Sequence, residues 1–377
     1  MNAYSGRRHS VRTLGVEEEL LLVDLETMHL APVAAGILTN VGLTDVELNR
    51  AAPSLEFEVK HEQIEVVSPP LETFDEVFAT ILNGRRAADS AARAVGARAV
   101  ALGTAPVPFE SHLVSAPRFV RMQEQFGITM DEQLTCGFHV HVSVDSDAEG
   151  VAVLDRIRPW LPVVLALSTN SPYWNGVDTG YASYRYQAWG RWPSAGAYDV
   201  FDSPETYHRR IAEMLDTGVA IDAGMIYFDA RLSRHAPTVE TRIADVCLRA
   251  HDAAVLAVLI RALVETAASD WADGIASDDT PAVLLRLASW RASRFGLKGA
   301  LVHPEQRGLV PADTAVHALL MHVAGHFGTR DEELLVREAL SAILQSGTGA
   351  EQQRTTMKSR GTSAAVITAA ARETIQA

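Results

Sequence analysis

Polar and apolar residues alternate in several short stretches of the first half of the chain and recur at helical spacing through most of the second. The segment 13–24, TLGVEEELLLVD, predicts a strand: Glu17 and Glu19 share one face, and Glu18 turns to the other with Val16 and Leu20. The segment 54–70, SLEFEVKHEQIEVVSPP, alternates and then breaks at two prolines, predicting a strand, a kink and a second strand. Leu55, Phe57 and Val59 should form its apolar face, with Glu56, Glu58 and Lys60 opposite. Phe74, Val77, Phe78 and Ile81 fall at helical spacing and run into an alanine-rich stretch, so 71–97 reads as helical. RAVALGTAP predicts a strand ending at Gly103, and 118–127 a short helix.

In TCGFHVHVSVD, 135–145, His139, His141 and Ser143 fall on one side of an extended chain and Val140, Val142 and Val144 on the other. Residues 148–172 read as helix interrupted by prolines, and 173–198 as a long aromatic, glycine-rich loop of the kind that carries function. MIYFDARLS and TVETRIADVC predict two further strands, the second with Glu240 and Arg242 on one face. Beyond residue 250 the pattern is helical, with breaks near 273–280, 303–312 and 346–350. Strands come first and helices intervene or follow, which predicts an α+β fold with an antiparallel or mixed sheet rather than a βαβ alternation. No repeat or linker divides the chain. The expectation is a flexible arm over 1–12 and one catalytic domain over 13–377.

Composition narrows the function. A chain of 377 residues with 47% hydrophobic and 21% charged residues is globular in character. Its net charge of -14 argues against nucleic acid as a main partner, since a phosphate backbone needs a basic surface. With two cysteines, no apolar core near the N-terminus and no apolar run of ~18 residues, a reducing cytoplasm is expected and no membrane span.

The candidate chemistry lies in acids set among apolar residues in separate strands: Glu17 and Glu19, Glu56 and Glu58, Glu65, and Glu240. Buried carboxylates cost several kcal/mol each unless paired, and several on one sheet face repel one another. Either the face is solvated, or cations balance it. Hard divalent ions such as Mg²⁺ or Mn²⁺ favour carboxylate oxygen, and Mn²⁺ also accepts imidazole. Taken singly, each segment is more often the solvent face of a sheet; four together weigh against that reading.

Competing motifs are missing. The sequence holds no phosphate-binding P-loop, no G-x-G-x-x-G after a strand and no G-x-S-x-G. HEQIE carries Glu65 where a zinc protease would need its second histidine. Cys136 reads as a small buried hydrophobe. The loop 173–198 offers Tyr181, Arg185, Arg191, Trp189 and Trp192, arginines suited to carboxylate or phosphate beside aromatic faces suited to adenine.

In this order, TLGVEEELLLVD, EVVSPP, CGFHVHVSVD, LPVVLALSTNSPYWNGVDTGYASYR, VETRIADVC and GTGAEQQR resemble the glutamate–cysteine ligase type 2 family, in particular its YbdK-type carboxylate–amine ligases. The resemblance runs over almost the whole chain. It implies a glutamine synthetase-like catalytic fold, with a curved, mainly antiparallel sheet as the floor of a funnel and helices on its outer face. It implies ATP-dependent joining of a carboxylate to an amine through an acyl phosphate, with glutamate and cysteine as the default pair. Metal ligands carry over to Glu17, Glu19, Glu65, His139 and Glu240. An acid seven residues before Glu65 points to Glu58, with Glu56 and Glu62 as alternatives. Arg242 is placed against phosphate or the acyl phosphate, with Glu58 the other catalytic candidate. His141 is placed at the nucleotide or behind the metal. Tyr181, Arg185 and Arg191 are placed at the substrate. The cofactors implied are ATP and Mg²⁺ or Mn²⁺, and the partners are small molecules, with a homodimer left open. Two alternatives stand beside this reading. One is a ligase or phosphotransferase for another acid and amine on the same scaffold. The other is a non-catalytic nucleotide- or metal-binding regulator.

Overall fold

The computed structural model describes residues 11–41 and 53–377. The predicted arm at 1–12 falls mostly outside them. Among the described residues the strands are β1 (Leu14–Asp24), β2 (Ser54–Phe57), β3 (Gln63–Val67), β4 (Ala97–Val100), β5 (Gly137–Ser143), the small hairpin β6 (Tyr173–Trp174) and β7 (Val177–Asp178), β8 (Ala230–Leu232), β9 (Thr238–Asp245) and a second small hairpin, β10 (Ala300–Val302) and β11 (Leu309–Pro311). Seven of them form one sheet in the order β2-β3-β1-β5-β9-β8, with β4 pairing the far end of β1. Every pairing is antiparallel.

Alternation along β1 decides which face meets water. Leu20 and Leu22 are fully buried and pack with Ala88 and Ala92 of the helix Phe74–Arg93. Val140 and Val142 of β5 pack with the long helix Ala250–Ala272, whose apolar residues cover most of its circumference. One sheet face therefore rests on helices. Glu18 belongs to this covered face and is forked by Arg85, with Nη2 2.6 Å from Oε1 and Nε 2.9 Å from Oε2. The opposite face carries Glu17, Glu19, Glu65, His139, His141 and Glu240.

Several elements differ from the pattern reading. β2 ends at Phe57, which is 45% exposed, so Leu55, Phe57 and Val59 form no buried apolar face. The chain turns there, Lys60 tucks inward to donate to the Asp131 carbonyl at 3.3 Å, and Glu58 swings beside Glu19 and Glu65. Of MIYFDARLS only Ala230–Leu232 is strand. Loop 173–198 contains the β6–β7 hairpin and the short helix Tyr184–Trp189, capped by Ser183. The helices Ala34–Val41 and Pro204–Asp216 lie outside the predicted pattern. The second carries a legible signal, Ser203 as N-cap followed by proline in the first turn. Among the described residues no helix is long and apolar enough to cross a membrane.

Candidate active site

Strand register assembles the site. Glu17 pairs across β1–β5 with His139, and Glu19 pairs across β1–β3 with Glu65. His141 faces Glu240 across β5–β9, and Glu240 faces Arg231 across β8–β9. Residues directly opposite in an antiparallel pair put their side chains on the same face. Four strands far apart in sequence thus deliver acids and imidazoles to one floor.

β9 carries a bulge at the centre of this floor. Between Phe138↔Ala244 and Val140↔Thr241, both Arg242 and Ile243 oppose the single His139. The carbonyls of Arg242 and Ile243 lie at this bulge. The Arg185 guanidinium donates to both at 3.3 Å. Arg185 is only 1% exposed and lies over Gly137, where a Cβ would come within 2.3 Å of its Nη2 and 3.1 Å of His139 Nε2. Glycine at 137 is therefore a matter of space.

The donor atoms fall into three overlapping sets: Glu17, His141 and Glu240; Glu17, His139 and Glu65; and Glu19, Glu58 and Glu65. In each set one donor atom per residue lies within 4.8 Å of the others. Glu17 and Glu65 belong to two sets each and bridge them. His139 Nδ1 stands 3.0 Å from Glu17 Oε2 and 3.9 Å from Glu240 Oε1, and His141 Nε2 3.1 Å from Glu17 Oε1. His141 Nδ1 contacts Thr238 Oγ1 at 3.1 Å. His139 Nε2 is buried without a hydrogen-bond partner and faces Glu19 Oε1 at 3.8 Å. An oxygen-rich set with one or two imidazoles, an orphaned ring nitrogen and crowded carboxylates fits hard divalent cations. No cysteine joins the sets, which disfavours structural zinc.

Electrostatics carries the mark of this crowding. Burial, and then the neighbouring Glu19, push the Glu58 carboxyl up to about 8. Burial together with Glu58, Glu17 and Glu19 drives Glu65 well above the ordinary range. Burial would also raise Glu17, but hydrogen bonds from His139 and His141 pull it below. Burial acts on Glu240 in the same way and is outweighed by Arg242 and Arg231, so it too lies low. His141 is lowered by burial but raised overall by Glu17 and Glu240.

A pH-dependent stability follows. In the unfolded chain Glu58 and Glu65 titrate near about 4.3. Between there and about 8 the folded Glu58 holds a proton that the unfolded chain has lost, and Glu65, raised as well, acts in the same direction. The stability this gives is complete below the unfolded value and disappears as pH rises through the window. His141 acts in the same direction above its unfolded value, while Glu17 and Glu240 lose their contribution only in acid. With a chelator present, the melting temperature should fall from about pH 6 to about pH 8.5, and Mg²⁺ should raise it most at the upper end. A Mg²⁺ increment independent of pH would contradict the crowding.

The floor lies between two hollows. One of about 390 Å³ is bordered by Glu17, His141, Glu240, Arg231, Arg234 and Arg242, with Gly15 and Ser68 beneath. The other, about 250 Å³, is bordered by Glu19, Glu58, Gln63, Gln133, Trp189 and Trp192, and Arg118 and Arg242 also reach it. Arg242 borders both. It bonds Glu240 through Nη1 and lies 5.8 Å from the Trp189 ring centroid.

Among the predicted residues, Glu17, Glu19, Glu58, Glu65, His139, His141, Glu240 and Arg242 come together. Of the alternatives to Glu58, Glu56 is exposed and accepts from Ser54 at 3.1 Å, while Glu62 is buried against His112, 2.5 Å from its Nδ1. The three residues expected at the substrate are placed differently. Arg185 is committed to the β9 bulge. Arg191 pairs with Glu132 at 2.6 Å on the surface. Tyr181 lies against Arg294 and borders neither hollow. Arg231, which holds Glu240 at 2.6 Å, escaped the sequence reading. Its signal was there, a charged residue alternating with Ala230 and Leu232. Arg118 escaped too, because its place depends on the ion pair with Asp222 at 2.7 Å, more than a hundred residues away.

With this geometry in hand, comparison with known proteins is informative. The family model described as glutamate-cysteine ligase family 2 matches residues 13–372. Two relatives are each named "Putative glutamate--cysteine ligase 2-1". The one from Paenarthrobacter aurescens is 53% identical over 350 residues, covering 92% of this chain and 91% of its own. The one from Streptomyces avermitilis is 45% identical over 364 residues, covering 97% and 99%. Among solved structures, the glutamate–cysteine ligase of Francisella tularensis in complex with AMP superposes with a TM-score of 0.67 at 12% identity, covering 98% of this chain and 90% of that one. A bifunctional glutathione synthetase from Pasteurella multocida gives 0.66 at 15% identity, and this chain, 97% covered, spans about half of it (52%). These two likenesses bear out the expected glutamine synthetase-like fold. By the match along nearly its whole length and by its close relatives, the chain belongs to glutamate–cysteine ligase family 2.

Proposed function

We propose that this protein is an ATP-dependent carboxylate–amine ligase that makes an amide through an acyl phosphate, with glutamate as the acid and cysteine as the amine. The observation that carries the reading is the convergence of Glu17, Glu19, Glu58, Glu65, His139 and Glu240 on one floor between two hollows. Relatives named as glutamate–cysteine ligases support the choice of substrates.

Bound Mg²⁺ or Mn²⁺ at these residues would supply charge neutralisation for a triphosphate and a template for its alignment. The larger hollow, with Arg231, Arg234 and Arg242 on its border, suits the phosphates. The smaller hollow suits the acid and amine. The substrate carboxylate attacks the γ-phosphorus and ADP leaves. The amine nitrogen then attacks the acyl carbon, phosphate departs and the nitrogen loses a proton. No protein nucleophile is needed, in keeping with the missing nucleophile motifs. Arg242, reaching both hollows, faces the developing charge in each step. Trp189 and Trp192 wall the smaller hollow and limit the access of water to the acyl phosphate.

Arg242→Ala should lower kcat about a hundredfold with little change in the KM for ATP. Unchanged kcat would remove Arg242 from the chemistry. The reading as a whole is tested by ADP release over a panel of acids and amines, with mass detection of product. Coupled ADP and γ-glutamylcysteine support it. ADP with a phosphorylated acceptor and no amide would redirect it to a phosphotransferase. Nucleotide binding without ADP from any pair would redirect it to a regulator.

A further inference from the structure

A second cationic concavity, of about 460 Å³, shares no bordering residue with the two hollows at the floor. Arg294, Lys298 and Arg354 converge on it, with Ser346 and Thr355 beside them. Arg294 is held by rings; the Asp178 carboxylate, forked by Arg354, is near enough to feel its charge but makes no ion pair with it. Its guanidinium carbon lies 5.2 Å from the Tyr181 centroid and 5.2 Å from that of Phe295. Gly180, at φ +74°, allows this approach, since a Cβ there would come 3.3 Å from Arg294 Nη2. Among the described residues neither the Arg294 guanidinium nor the Lys298 ammonium has a hydrogen bond or ion pair. Arg354 is fixed by Asp178, at 2.6 and 3.0 Å, and by the Tyr181 carbonyl at 2.9 Å. The acid at the rim, Glu351, is turned to the Thr348 amide and hydroxyl at 2.8 and 2.6 Å.

Ordering an arginine before a ligand arrives removes much of the entropy cost of binding. Here a guanidinium with five donors is ordered against aromatic faces, with no acceptor supplied by the protein. A second free cation and two hydroxyls stand beside it, on a chain whose net charge is -14. Arg suits oxyanions that offer two oxygens at once. We propose that Arg294, Lys298 and Arg354 form a binding site for a dianionic phosphate group, distinct from the catalytic floor. The site also gives Tyr181 a place: its ring orients Arg294, and its carbonyl orients Arg354.

The test is calorimetric titration of the full-length protein with inorganic phosphate and, separately, glycerol phosphate. A chelator is included so that the acidic floor repels both probes. Saturable one-to-one binding is expected, weakened about tenfold or more by Arg294→Gln and severalfold by Lys298→Gln, and unchanged by Arg242→Ala. Tighter binding of glycerol phosphate would identify an ester as the natural ligand; tighter binding of inorganic phosphate, the free ion. Arg294→Gln should keep the parent's melting temperature without phosphate and lose the rise that phosphate gives the parent. Absence of saturable binding, equal affinity in Arg294→Gln, or loss of binding in Arg242→Ala instead would each overturn the proposal.

Discussion

Glu65→Gln should lower ligase turnover by about three orders of magnitude and at the same time raise the melting temperature in chelator. The two shifts have one cause. Glu65 belongs to two of the three donor sets, so the amide weakens cation binding at both. The same carboxyl is driven far above its ordinary range by burial and by Glu58, Glu17 and Glu19. Replacing it by a neutral group of the same shape removes that repulsion, and the fold gains what the site loses. Steady-state turnover and thermal melting, each with and without Mg²⁺, check this. The parent should show a large Mg²⁺-induced rise in melting temperature at about pH 8 and the variant a small one. Near-normal turnover would remove Glu65 from the cation site. Lower stability in chelator would show that its carboxylate serves the fold.

Arg85→Met should cost about 4 kcal/mol of folding free energy, a large share of the stability of an ordinary domain. Arg85 is fully buried and makes four hydrogen bonds: two to Glu18, at 2.6 and 2.9 Å, and two to the carbonyls of Cys247 and Leu248, at 2.7 and 2.9 Å. Its loss leaves a carboxylate and two carbonyls buried without partners. These interactions tie β1 and the helix Phe74–Arg93 to the chain that leaves β9, directly behind the floor. Urea denaturation gives the number. The pair Glu18→Met with Arg85→Met should recover more than half of the loss, because two apolar side chains fill the space without an unpaired charge. If the double variant were as unstable as the single one, the carbonyl contacts rather than the ion pair would dominate. Turnover of the folded fraction should be close to that of the parent, because Glu18 and Arg85 lie on the helix-covered face.

The strands that carry the chemistry were legible because their constraint is local. A strand places alternate residues on opposite faces whatever surrounds it, so the split of Glu17 and Glu19 from Glu18, or of the histidines from the valines at 139–144, follows from covalent geometry. Family resemblance then supplied the candidate ligands, and the register of β1, β3, β5 and β9 brings those same residues together. Where local pattern failed, a distant contact had prevailed. The alternation in SLEFEVK predicts a continued strand, but the chain turns after Phe57, and this turn brings Glu58 rather than Glu56 or Glu62 to the floor.

The arginines mark the same division. From sequence, Arg185 and Arg191 looked alike, cations in an aromatic loop. The fold buries one to satisfy the carbonyls of a bulge, and leaves the other on the surface with Glu132. A bulge is one extra residue in one strand, visible only against the partner it no longer matches. By itself the sequence determined the residue types, the faces they share within β1, β5 and β9, and the family, because these rest on covalent geometry and on motifs along the chain. Tertiary structure alone decided which glutamate completes the acidic cluster, which arginine borders both hollows and which one braces the floor, because each depends on pairing between segments whose separation no local rule can bridge.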